Sequence, residues 1–176
     1  MPSRNAWPDL IGHLVLLKQQ IDGLDPDGPR TYTLPRIAAT EQRLARTERL
    51  LGQPLDPGYR EFLTYADGWA EFSISIQLLG TSEQMSAVRT TAEDHLDVTL
   101  EAVSTGWRRP DLTPIAVASE DKDVIAVGRP GSQVAGQVVW FAGEEVERYA
   151  HVKDWFEDEV ASHQRALDRL RTMGRC

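Results

Sequence analysis

Pro114-Ile115-Ala116-Val117-Ala118, then Ser119-Glu120-Asp121-Lys122-Asp123, then Val124-Ile125-Ala126-Val127: an apolar run, a polar turn and a second apolar run, with nothing between them. Each run has the length and β-branched content of a strand. The pattern continues downstream. Gly128-Arg129-Pro130-Gly131 begins a loop, Val138 to Phe141 reads as a strand, Ala142-Gly143 as a turn and Glu145 to Tyr149 as a last short strand. Parallel neighbours need a crossover of a dozen or more residues, so strands joined by such short connections pair antiparallel.

Helical patterns surround this sheet. Upstream, Ile74, Ile76 and Leu78 alternate with Ser73, Ser75 and Gln77, the period of a half-buried strand. Gly80-Thr81-Ser82 is a turn, with Ser82 placed to cap a short helix. The stretch from Thr90 to Gly106 carries mixed signals and reads as helical around Leu96 to Val103. One helix spans about Ala39 to Leu51 and stops at Gly52. Asp56-Pro57 is an N-cap followed by proline, after which Tyr59, Phe62, Leu63 and Ala66 fall at helical spacing and Asp67-Gly68 closes the segment. Near the start, Trp7-Pro8 opens a helix whose Leu10, Leu14, Leu17 and Ile21 form one stripe. It ends at Gly23, before the linker Asp25-Pro26-Asp27-Gly28-Pro29. At the other end Val152, Trp155, Phe156, Val160, His163, Leu167 and Leu170 fit one helical face. The fold class is therefore α+β, a mostly antiparallel sheet flanked by helices. The organisation expected is a helical extension and linker over residues 1–30, a main domain over 31–162, and a continuation of the last helix with a tail over 163–176.

Composition narrows the role. The 176 residues carry a formal net charge of −8, and Arg108-Arg109 is the longest basic run. Phosphate binding needs clustered Lys and Arg, so direct nucleic-acid binding is not expected. An acidic surface speeds encounter with a basic partner, or simply keeps a protein soluble. No apolar stretch is long enough for a membrane span, and Leu10 to Leu17 contains His13 and lacks the pattern of a secretory signal. The single cysteine, Cys176, leaves no intramolecular disulfide. A cytoplasmic location is expected.

The chain shows no G-x-S-x-G, G-x-x-x-x-G-K-[ST] or H-E-x-x-H pattern. His13, His95, His151 and His163 do not pair at ligand spacing, so no zinc site is expected. Glu120, Asp121 and Asp123 come nearest to a calcium loop, but Lys122 intrudes and the bending glycine is absent; a solvated hairpin turn fits better. No metal and no cofactor is expected. Tyr59, Phe62 and Trp69 could line a pocket or fill the core, with Trp69, just after Gly68, placed to lie on the rim. From Glu144 to Glu159 seven carboxylates stand against Arg148 and Lys153, either a solvated face or a surface for a basic partner.

Several segments, in order, resemble the SMI1/KNR4 (SUKH) family: Glu48-Arg49-Leu50-Leu51-Gly52; Pro54-Leu55-Asp56-Pro57-Gly58-Tyr59-Arg60-Glu61-Phe62-Leu63; Asp67-Gly68; Leu78-Leu79-Gly80 with Glu83; Pro114-Ile115-Ala116; Val124-Ile125-Ala126-Val127; Gly136-Gln137-Val138-Val139-Trp140-Phe141; and Val152 to Val160. The similarity covers about residues 36 to 162. The acidic turn lacks the glycine usual in the family, and Asp67 stands where asparagine is common. The resemblance implies a non-catalytic protein-binding domain. In bacteria the implied role is an immunity protein that neutralises a cognate polymorphic toxin, often a nuclease, by binding it; the alternative is a scaffold or regulatory adaptor without toxin neutralisation. The partner-binding residues expected are Glu120, Asp121, Asp123, Glu144, Glu145 and Glu147, with Trp69 as an apolar anchor. An enzyme or small-ligand protein is the third reading, and it requires a deep pocket of converging polar groups.

Overall fold

The computed structural model describes residues 6–102 and 106–174. Val103 and Cys176 lie outside the described residues. The helices are α1 (Trp7–Leu24), α2 (Glu41–Leu51), α3 (Pro57–Leu63), α4 (Ala87–Ala102) and α5 (Val152–Met173). The strands are β1 (Trp69–Ser73), β2 (Ile76–Leu78), β3 (Leu112–Ala118), β4 (Asp123–Gly128), β5 (Val138–Ala142) and β6 (Glu145–Tyr149). They form one sheet in chain order, every neighbouring pair antiparallel. The fold is α+β, as the strand spacing requires.

Both faces of the sheet are covered, which is why its central strands read as unbroken apolar runs. Along β4 the side chains alternate: Ile125 and Val127 join a core with α1, α3 and α5, while Val124 and Ala126 join a second core with α4. Pro114 sits at a bulge in β3, where its missing N–H breaks no regular ladder. The main core holds an aromatic stack. Trp7 lies 5.3 Å from both Phe62 and Phe156, and Phe72 lies 5.2 Å from Phe156 and 5.4 Å from Trp155. The N-terminal helix thus shares the main core, burying Trp7, Leu10, Leu14, Leu17 and Ile21 along α5.

The segment read as one strand, Ser73 to Leu78, is instead a hairpin. Ser73 ends β1, Ser75 turns with φ 56°, and Ile76 begins β2, leaving Ile74 exposed at the tip. β1 itself carries Ala70 and Glu71 both outward around a bulge, so it lacks the period-2 signal. Its carbonyls are capped from outside. The Lys18 amine donates to Glu71 O at 2.6 Å, and the Thr33 hydroxyl to Ala70 O at 2.7 Å. α3 ends at Leu63, and Ala66 bridges Ile37 instead of continuing the helix. α4 begins well before Leu96.

The short motifs tie elements together. Glu48 accepts from Leu55 N at 3.0 Å and from Arg60 Nε at 3.2 Å, fixing the turn between α2 and α3. Asp67, 3 % exposed, accepts from Thr81 N at 2.6 Å, Thr81 Oγ1 at 2.7 Å and Arg43 Nη2 at 2.9 Å. Glu83 accepts from Gly80 N at 2.9 Å and pairs with Arg36. The Tyr59 hydroxyl donates to Leu79 O at 2.6 Å, while Gln84 donates to that hydroxyl and to Pro114 O. Buried polar groups of this kind must be paired, and each of these is.

Two stability predictions arise here. Gly12 lies on the exposed side of α1, and a Cβ there would touch nothing. Gly12→Ala is expected to raise the unfolding free energy by about 0.5–1 kcal/mol in urea titration, by removing unfolded-state freedom. His163 is fully buried; its Nδ1 lies 2.9 Å from Glu159 O and its Nε2 3.3 Å from Arg30 Nη1. That geometry fits the tautomer with Nδ1 donating to the carbonyl and Nε2 accepting from the guanidinium. Burial pulls the imidazole down to about 4; the bond to Glu159 opposes this, while Arg30 and Lys18 add to it. The unfolded chain binds this proton near pH 6.5 and the folded chain only near 4, so this contribution to stability is lost as pH falls through that window. Between pH 7 and pH 5 it amounts to about 2 kcal/mol. Buried Glu159, whose carboxyl burial pushes upward, has the opposite sign, so the variant isolates the histidine. His163→Gln should have an acid-side stability profile flatter than wild type by about that amount. Parallel profiles in denaturant titrations would exclude the proposed role of His163.

Candidate protein-binding surface

A meander with short turns sends alternate connections to the same end of the sheet. Ile76 pairs with Ala118, and Asp123 with Ala142. Residues 74–75, 119–122 and 143–144 therefore cluster at one end, and the 129–137 loop lies at the other. The clustered turns and the strand ends beside them carry Glu120, Asp121, Asp123, Glu144 and Glu145. Glu147 lies farther along β6, opposite Trp140. Gly143 makes its tight turn with φ 76°.

These acids fall into two groups. Asp123 is half-buried and accepts from Trp140 Nε1 at 3.0 Å. Burial pushes its carboxyl upward; the indole bond opposes this, and Asp121 adds to it. Glu145 is gripped by Arg148 and by Trp107 Nε1, the latter at 3.0 Å, and Arg148 holds it below the usual carboxylate range. The Arg148 guanidinium also lies 4.7 Å from the centre of the Trp107 ring. Asp123 and Glu145 thus fix the rim. Glu120, Asp121, Glu144 and Glu147 are exposed. Among the described residues no ion pair or hydrogen bond engages the side chains of Glu120, Asp121 or Glu144, leaving their carboxylates directed to solvent.

Trp69 does not belong to this surface. It is fully buried, packs 5.7 Å from Phe72, and donates from Nε1 to Thr33 O at 3.2 Å and Thr33 Oγ1 at 3.1 Å. The residue after Gly68 is the first of β1, and it faces the core. No partner can reach it without opening the fold. The indoles that serve the acidic end are Trp140 and Trp107. The Val139-Trp140-Phe141 alternation places Trp140 on the α5 face, and β4 sets Asp123 within its reach.

A cleft of about 560 Å³ opens at the other end of the sheet, lined by Trp7, Asp56, Glu61, Gly136, His151 and Lys153. Asp56 is already committed there, accepting from Tyr59 N at 2.9 Å to cap α3. Among the described residues no group of three or more His, Cys, Asp or Glu is arranged to hold a metal, and no helix is long and apolar enough to cross a membrane.

No curated protein matches the chain. A model of the SMI1 / KNR4 family (SUKH-1) matches residues 38–158, from just before α2 into α5, which is more than half of the chain and contains the whole sheet. The chain belongs to the SMI1 / KNR4 family (SUKH-1).

Proposed function

We propose that this chain is a non-catalytic protein-binding domain of the immunity type, which neutralises a cognate toxin by direct binding. The acidic end of the sheet is the surface it presents, and a basic domain such as a nuclease is the partner. One observation carries this reading: three connections converge at one end of the sheet, and Glu120, Asp121 and Glu144 there have no ion pair or side-chain hydrogen bond among the described residues. Such carboxylates stand in for nucleic-acid phosphates toward a basic groove. They steer encounter at long range, and the sheet behind them blocks the substrate path. Inhibition then requires occupancy alone, with no bond made or broken.

A scaffold or regulatory adaptor is the second reading. It is favoured by a second concave surface, cationic and apolar, between α1 and α5. Calorimetric titration with the product of the adjacent gene, combined with an assay of that product's toxicity, separates the two. Immunity predicts a one-to-one complex in which the toxic activity is lost. A complex that leaves the activity intact supports the adaptor, and no binding counts against both as applied to that product.

A further inference from the structure

Beside the 74–75 turn, at the β1–β2 edge of the same end of the sheet as the acidic turns, a groove of about 240 Å³ runs between the C-terminal turns of α1 and α5. Ile21, Ile74, Leu170 and Met173 line its apolar part, and Arg30 and Arg169 its polar part. Ile74 is 43 % and Met173 65 % exposed, and Leu24, 55 % exposed, ends α1 nearby. Isolated exposed apolar residues are ordinary, but several gathered around a concavity mark a binding surface.

The charges there are poorly balanced. Arg165 and Arg169 sit one helical turn apart on α5, an arrangement that destabilises a helix when the charges are alike. Both act on Arg30: burial lowers its affinity for the proton most, Glu159 opposes this, and Arg169 and Arg165 add to the push. Arg30 itself donates to the neutral acceptors His163 Nε2 and Ser162 Oγ, each at 3.3 Å. Arg165 reaches Asp158 only at 3.9 Å, and no ion pair to Arg169 occurs among the described residues. Asp25, also on the groove, folds its carboxylate back over Gly28. The site is thus a local excess of guanidinium in a protein of net charge −8.

We propose that this groove docks an acidic peptide segment of a protein partner, one large apolar side chain entering between α1 and α5 while flanking Asp or Glu side chains pair with Arg169, Arg165 and Arg30. The volume favours a side chain over a whole small molecule, whose sites usually measure about 300–1,000 Å³. Planar guanidinium forks suit carboxylates, which they hold through two parallel hydrogen bonds. Ile74 brings this surface to the β1–β2 edge of the same end of the sheet as the acidic turns, but it shares none of their carboxylates and has the opposite sign.

The test is selection of a phage-displayed random dodecapeptide library on the immobilised full chain. Enriched sequences are expected to carry at least two Asp or Glu residues within three positions of a Leu, Ile, Met, Phe or Trp. The most enriched peptide, made synthetically, should bind Arg169→Glu and Met173→Asp at least tenfold more weakly than wild type, and Glu120→Lys/Asp121→Lys with unchanged affinity. Both groove positions are exposed, and thermal melting checks that each variant is folded. Absence of enrichment, enrichment of basic sequences, or affinity unchanged by Arg169→Glu would overturn the proposal. So would wild-type self-association in sedimentation that Arg169→Glu abolishes, since the groove's occupant would then be a second copy.

Discussion

Gly80→Ala is expected to cost the fold about 3 kcal/mol, read as a fall in the urea midpoint at unchanged slope. A Cβ at Gly80 would overlap the backbone carbonyl of Asp67. Backbone cannot swing aside as the end of a flexible side chain can. The carbonyl and its own side chain are also held in place: Asp67 O accepts from Arg36 Nε at 2.9 Å, and the Asp67 carboxylate holds Thr81 and Arg43. Any retreat of Asp67 to admit a methyl group therefore disturbs buried charge-assisted hydrogen bonds, each expensive to leave unmade. Gly68 faces Gly80 with φ 86°, so the partner chain segment is equally confined. The same substitution at Gly12, in open space, has the opposite expected sign, and the pair separates crowding from propensity.

Reversing the charge of the exposed turns, with Glu120→Lys, Asp121→Lys and Glu144→Lys together, is expected to weaken binding to a basic partner about a hundredfold or more. Most of the change should appear in the association rate and diminish at high salt. None of the three side chains has an intramolecular partner among the described residues, so stability should move by no more than about 0.5 kcal/mol per site. Surface plasmon resonance across a salt series checks this. Glu145→Lys is a poor substitute, because it also breaks the contacts to Arg148 and Trp107 and confuses loss of contact with loss of shape.

The sheet from β3 to β6 was legible because its turns are short and its apolar runs long. β1 was not. Its bulge, the positive φ of Glu71 (51°) and two adjacent outward residues erase the alternation that identifies a strand. Trp69 was misplaced for the same reason: with β1 unseen, the residue after Gly68 read as a loop on the rim. The family motifs were visible as residue types, but their work was not. Asp67, Glu83 and Glu48 hold backbone N–H groups and arginines in place, and a sequence does not show which N–H comes near. Their conspicuousness belongs to the fold. The acidic turns could be read as acidic; their convergence follows only once the meander pairing is known. The division of labour among them stayed hidden because the indoles that hold Asp123 and Glu145 come from 17 and 38 residues away.

Hydrogen exchange on the full chain, with and without the product of the adjacent gene, reads the contact surface residue by residue. Binding through the acidic end of the sheet predicts slowed exchange in residues 119–122 and 143–147, with the 129–137 loop unchanged. Protection confined to that loop and the cleft beside α3, with the acidic turns exchanging as in the free chain, would contradict it.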